Sequence, residues 1–343
     1  MADIESLVRK NIVSLAPYSS ARDEFSSREG VFMDANENPY GSLNRYPDPY
    51  QRELKAAISK IKGIDESNIF LGNGSDEIID LCFRIFCSPG VDSILTFTPT
   101  YGMYEVSASV NDVEVIRLPL NENFQINMSS VSKLLAVKKP KLIFICSPNN
   151  PTGNCINNDD IEILIKSFSG IVLIDEAYID FSQKPSFRNL IGKYQNLIVM
   201  QTFSKAIGLA AVRIGMAFTN ERIIKYFNKI KPPYNISDVN QKAALKILLK
   251  RGENRRQIDT IIHERDRMIA RISRMKITEK IFPTDANFIL VRVSDANSIY
   301  KFLINKNIIV RNRNSVVENC LRITVGTRAE NDKLIMALNS FGR

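Results

Sequence analysis

Leu197-Ile198-Val199-Met200-Gln201 runs into Thr202-Phe203-Ser204-Lys205-Ala206. The first five residues are uncharged, too few for a helix and followed by polar residues, so they read as a strand buried on both faces. Four more short apolar runs precede them: Ser93 to Phe97, Glu114 to Leu118, Leu142 to Cys146 and Ile171 to Ile174. Helical patterns lie between most of these, among them Ser75 to Phe86 and Asn157 to Phe168, and Leu54, Ala57, Ile58 and Ile61 recur at helical spacing. The alternation implies an α/β fold, a mostly parallel sheet sandwiched by helices. Ligands of such sheets bind beyond the carboxyl ends of the strands.

Pro232-Pro233 breaks the pattern. Helical stretches follow at Ser237 to Lys250 and Asn254 to Arg274. Strands are expected near Asn287 to Val293, Ile308 to Arg311 and Cys320 to Val325, then a last helix from Ala329 to Phe341. These make a smaller α+β domain. The expected division is an N-terminal arm over 1–30, a large domain over 31–233 and a small domain over 234–343. The arm reads as a short helix and then a polar stretch through Pro17 and Tyr18 that returns to the small domain. A chain of 343 residues with 44% hydrophobic residues can supply both cores.

Composition removes several classes of function. The net charge is +9, but the basic residues are scattered, and Arg251 to Arg256, the nearest approach to a cluster, lacks interleaved aromatics. No nucleic-acid partner is expected. His263 is the one histidine and sits in a charged helical run, so a His-rich zinc site is excluded, no metal is expected, and a Ser-His-Asp triad has no supporting motif. Five cysteines, an odd number without a C-x-x-C, read as reduced thiols of a cytoplasmic protein. No run of about 18 apolar residues is present, so no membrane span is expected. Asp3 and Glu5, without an apolar stretch beside them, argue against a signal peptide.

Chemistry gathers at the strand ends. Lys205 follows a buried strand, where loss of water lowers an amine's pKa and suits it to Schiff-base formation. Alone, a lysine after a strand is usually just solvated. Ile171 to Ile174 runs into Asp175-Glu176-Ala177-Tyr178. Either acid there could pair with a buried cation such as the pyridinium of pyridoxal phosphate, and Tyr178 could hydrogen-bond that ring's phenolic oxygen; acids at a helix start are the plainer explanation. Leu142 to Cys146 runs into Ser147-Pro148-Asn149-Asn150-Pro151-Thr152-Gly153, a rigid turn that could aim the Asn150 amide at the same oxygen. Gly72-Asn73-Gly74-Ser75-Asp76-Glu77 opens a helix and offers backbone N–H groups to an anion, or simply a cap. Arg213 could add positive charge to a phosphate. Tyr101, in Pro99-Thr100-Tyr101-Gly102-Met103-Tyr104, could stack on a flat ring or merely pack.

In order, S-P-N-N-P-T-G, D-E-A-Y, T-F-S-K and R-I-G, each but the last following a strand, resemble the fold-type I pyridoxal-phosphate aminotransferases over essentially the whole chain. The resemblance implies pyridoxal 5'-phosphate as cofactor, with Lys205 as the Schiff-base lysine and Asp175 partnering the pyridine nitrogen. Tyr178 and Asn150 would lie at the phenolic oxygen and Tyr101 over the ring. Gly74, Ser75, Asp76, Thr202, Ser204 and Arg213 would surround the phosphate. Leu15-Ala16-Pro17-Tyr18, Asp34 to Gly41, Arg45-Tyr46-Pro47-Asp48 and Leu321 to Thr327 resemble the histidinol-phosphate aminotransferase branch in particular. That likeness implies transamination between L-histidinol phosphate and 2-oxoglutarate, giving imidazole-acetol phosphate and L-glutamate. It also implies a homodimer in which Tyr46 reaches the partner's cofactor phosphate. Arg322 and Arg311 would bind the substrate anion, with Tyr18 and Asn36 on the substrate side. An aromatic aminotransferase, a threonine-phosphate decarboxylase and a non-catalytic protein of the same fold are the alternatives.

Overall fold

The structure, a computed structural model, describes residues 3–19 and 30–341. Seven strands form the large sheet: β1 (Ile69–Asn73), β2 (Ser93–Thr98), β3 (Glu114–Pro119), β4 (Leu142–Cys146), β5 (Ile171–Asp175), β6 (Leu197–Thr202) and β7 (Ile214–Phe218). Their order is β1-β7-β6-β5-β4-β2-β3. β2 to β6 pair in parallel, whereas β7 runs antiparallel to both β1 and β6.

Strand periodicity divides the central strands between two cores. Ile143, Ile145, Val172, Ile174, Leu197 and Val199 face one side, against Leu54 and Ile58 of helix Arg52–Lys62 and Ile161 and Leu164 of helix Asn158–Ser167. Leu142, Phe144, Ile171, Leu173, Ile198 and Met200 face the other, against helices Ser75–Phe86 and Glu221–Ile230. Both faces are covered, so these strands carry continuous apolar runs rather than alternating ones.

The second sheet, order β10-β11-β9-β8, is built from β8 (Thr278–Ile281), β9 (Phe288–Val293), β10 (Arg311–Asn312) and β11 (Cys320–Thr324), all antiparallel. Helices Arg251–Ile272, Ala296–Asn305 and Arg328–Asn339 pack on it through Met268, Ile299, Leu303 and Leu334. The strand expected at Ile308 to Arg311 is shorter and later, Arg311–Asn312. β1, β7 and β8 are not expected from the sequence; Gly72 and Gly215 interrupt the first two, and β8 opens on three successive polar residues.

The start of the expected N-terminal arm packs elsewhere than on the small domain, while residues 20–29 of that arm lie outside the described residues. Ile4, Val8 and Ile12 join the core containing Phe83, Phe86 and Phe227, on the large sheet rather than the small one. Arg9 N–H donates to the Ile85 carbonyl at 2.9 Å, and Lys229 Nζ donates to Val13 O at 2.7 Å. Helix Asp238–Leu248, although beyond Pro232-Pro233, still contributes Ala244 and Leu248 to the large sheet's core.

Candidate active site

The register of the large sheet brings the chemistry together. Cys146 pairs with Asp175, and Asp175 with Met200, so β4, β5 and β6 end at one level. Because β7 runs the other way, its first residues lie at that same edge: Gly215 opposite Thr202 and Gly72, and Ile214 opposite Asn73. The turn after β6, the entry to β7 and the exit of β1 therefore meet. Gly215 makes the meeting possible, since a Cβ there would lie 2.6 Å from the Gly74 carbonyl carbon. A cavity of about 580 Å³ opens above this edge. Its wall includes Ser75, Asp76, Tyr101, Asn150, Asp175, Tyr178, Thr202, Ser204, Lys205 and Arg213, and, from the second sheet, Arg311 and Arg322.

Asp175, not Glu176, faces the cavity. Glu176 turns away and accepts from Ser186 Oγ, from Gln201 Nε2 at 2.9 Å and from Phe187 N–H at 2.7 Å. Asp175 is 4% exposed. Its Oδ2 accepts from Tyr104 OH at 2.7 Å and its Oδ1 from Ala177 N–H at 3.0 Å. Burial pushes its pKa up to about 6, with these two donors opposing the rise. An acid so placed is short of a cation.

Lys205 Nζ lies 5.8 Å from the centroid of the Tyr178 ring. The side chain opens onto the cavity, but the surrounding protein strips enough water from the amine to lower its pKa. The Arg322 charge adds to that lowering and Asp175 opposes it. Across the cavity, Asn150 Nδ2 donates to Tyr178 OH at 3.5 Å, while Arg322 Nη1 donates to Asn150 Oδ1. Burial raises the Tyr178 phenol.

At the far end, helix Ser75–Phe86 begins without a side-chain cap, behind Gly74 at φ +81°. Its first N–H groups point out of the helix, as at an anion site. A Cβ on Gly74 would lie 2.7 Å from Arg213 Nη2, so the glycine lets this guanidinium lie against the helix start. Arg213 Nη2 meets Asp76 Oδ2 at 3.4 Å, and Tyr101 OH donates to Asp76 Oδ1 at 3.2 Å. Thr202 Oγ1 accepts from Ser204 N–H at 3.1 Å and closes the turn before Lys205.

Arg311 and Arg322 are opposite one another on β10 and β11. Like charges so paired repel, and neither meets a carboxylate within ion-pair distance among the described residues. Arg322 Nε is buried without a hydrogen-bond partner. Four expected residues do not line this cavity: Gly74 lies just behind its wall, Tyr18 is 73% exposed, Asn36 is exposed, and Tyr46 is 50% exposed and stacks on Tyr234 at 4.4 Å. Arg313 and Tyr104 were not expected here. Arg313 lines the cavity and could have been found, because it stands two residues after Arg311 in extended chain and so shares its side. Tyr104 gave no such signal; its role depends on a hydrogen bond across 71 positions.

The model of aminotransferase class I and II matches residues 29–338. The chain belongs to that family. It is 52% identical to the histidinol-phosphate aminotransferase of Bacteroides fragilis, over 99% of this chain and 100% of the relative. It is 48% identical to that of Cytophaga hutchinsonii, over 98% and 99%. Among solved structures, histidinol-phosphate aminotransferase from Clostridium acetobutylicum superposes with a TM-score of 0.79 at 27% identity, covering 87% of this chain and 90% of its own. The protein from Sinorhizobium meliloti, crystallised with pyridoxal-5'-phosphate, matches in fold with a TM-score of 0.79 at 22% identity, covering 86% and 82%.

Proposed function

We propose that this aminotransferase exchanges an amino group between L-histidinol phosphate and 2-oxoglutarate, yielding imidazole-acetol phosphate and L-glutamate, a step of histidine biosynthesis. Full-length identity of about half to relatives of that name carries the reading. The cavity fits it, with an amine, a buried acid and two arginines, Arg311 and Arg322, that meet no carboxylate within ion-pair distance among the described residues.

The residues fit pyridoxal 5'-phosphate. Asp175, raised by burial and lacking a cation, suits a pyridinium nitrogen. The uncapped start of helix Ser75–Phe86 and Arg213 suit a phosphate, with Thr202 and Ser204 beside them. When bound, the cofactor supplies a protonated ring that accepts the electron pair left by the departing α-proton. Lys205 would hold it through Nζ, and the same amine is the group placed to take up that proton as base and return it as acid. Tyr178 and Asn150 would hold the ring's phenolic oxygen, and Tyr101 would pack on the ring. Arg322 and Arg311 grip the substrate anion, which is a phosphate in one half-reaction and a side-chain carboxylate in the other.

The working form in this reading is a homodimer. Tyr46 lies outside its own chain's cavity, and in this reading it serves the partner's cofactor phosphate. Tyr18 and Asn36 belong on the substrate side once the dimer is assembled. The cysteines are free and buried, which suits the cytoplasm. No helix among the described residues is long and apolar enough to cross a membrane.

Turnover of cofactor-loaded protein with L-histidinol phosphate and 2-oxoglutarate tests the substrate reading, alongside phenylalanine and threonine phosphate. The proposal expects kcat/KM for histidinol phosphate to exceed the others. Preference for phenylalanine, or release of carbon dioxide from threonine phosphate, would replace it.

A further inference from the structure

The second sheet gives the cavity a third guanidinium beside Arg311 and Arg322. Arg313 leaves β10 on a fixed backbone: its N–H donates to the Cys320 carbonyl at 2.9 Å, and its own carbonyl accepts from Val316 and Val317 N–H at 2.8 Å. The Cα is thus clamped and the side chain reaches the cavity wall beside Arg311 and Arg322. Its Nε is buried without a hydrogen-bond partner, like that of Arg322. Burial, then Arg322 and Arg311, lower its pKa. No carboxylate lies within ion-pair distance of it among the described residues. Three converging cations with two orphaned buried donors leave a charge to be met from outside the chain.

We infer that Arg313 is the third arm of the substrate-anion subsite and sets its preference for a doubly charged phosphate ester over a singly charged carboxylate. The inference rests on the substrate reading above. A carboxylate has two oxygens and one charge, and two arginine forks saturate it. A phosphate monoester offers three terminal oxygens and, above its second pKa of about 6, nearly two charges. Only the phosphate gives the third fork both an oxygen and a charge. Arg313 therefore acts mainly in the histidinol-phosphate half-reaction and little in the glutamate one.

The test uses the cofactor-loaded wild type, Arg313→Gln and Arg313→Lys. A hydrogen bond to a charged group corresponds to roughly tenfold or more in affinity. Arg313→Gln should raise KM for histidinol phosphate at least about tenfold and KM for glutamate less than about threefold, with kcat changing less than either. Inorganic phosphate, assayed as an inhibitor competing with glutamate, should weaken by the same factor as histidinol phosphate. Arg313→Lys keeps the charge without the fork, should fall between, and carries the test if the glutamine variant does not fold. Equal changes in KM for the phosphate and the carboxylate, or unchanged inhibition by inorganic phosphate, would overturn the inference. If the wild type uses glutamate but not histidinol phosphate, the substrate reading fails, while phosphate inhibition still decides the role of Arg313.

Discussion

The substitution Asp175→Asn should remove a pH-dependent weakness of the cofactor-free protein. Burial raises this carboxyl from its ordinary 3.8 to about 6. At about 1.4 kcal/mol per pH unit, keeping it ionised in the folded state costs about 3 kcal/mol, since 6 minus 3.8 is about 2.2. The direction follows from linkage. Well below pH 3.8 the group is protonated in both the folded and unfolded chains, and nothing is lost. As pH rises from 4 through 6 the unfolded chain ionises first, and stability falls until the folded carboxyl also ionises. The asparagine of the variant does not titrate. Any change it makes to the hydrogen bonds from Tyr104 and Ala177 is independent of pH and cancels when the two proteins are compared across pH. Urea unfolding of both apo-proteins, followed by circular dichroism from pH 4 to 8, should show wild type losing about 2.5 kcal/mol relative to the variant, the rest having gone below pH 4. Saturating pyridoxal phosphate should shrink this loss, because a pyridinium beside Asp175 restores a reason to ionise. A difference between the proteins that is the same at pH 4 and pH 8 would refute the reasoning.

Other outcomes follow from the same geometry. Lys205→Ala should lower transamination at least about a hundredfold and abolish the near-visible absorbance band of the holoprotein, read by steady-state assay and spectrum. Gly74→Ala places a Cβ 2.7 Å from Arg213 Nη2 at φ +81°, and should weaken cofactor affinity about tenfold or more in a fluorescence titration while costing about 1 kcal/mol or more of stability. Arg322→Ala removes the partner of Asn150 Oδ1 and one arm of the anion grip; kcat/KM should fall roughly ten- to a hundredfold with the cofactor band kept. If instead the unfolding midpoint drops in step with activity, the arginine serves the small sheet's stability.

Much of this was legible because parallel strands buried on both faces write themselves as uninterrupted apolar runs. β4 was read residue for residue, and β5 and β6 to within one at the end. The residues following those runs, Asn150, Asp175, Tyr178 and Lys205, are the ones the register gathers. What stayed hidden depended on distant pairing. β7 is antiparallel and contains a glycine whose reason, the close pass of the Gly74 backbone, is 141 positions away in the chain, 215 minus 74. The residues alone leave Asp175 and Glu176 open; the family resemblance selects Asp175, and the structure gives the reason, since Gln201 and Ser186 claim the second acid. The N-terminal segment carries an apolar Ile4, Val8 and Ile12 stripe that any core could have buried, and nothing local says which.

The amine of residue 205 is where the account is most exposed. Borohydride reduction of the cofactor-loaded protein, followed by peptide mass mapping, should leave a phosphopyridoxyl group on Lys205 and on no other lysine. An adduct at a different lysine, or none, would contradict the site as assigned.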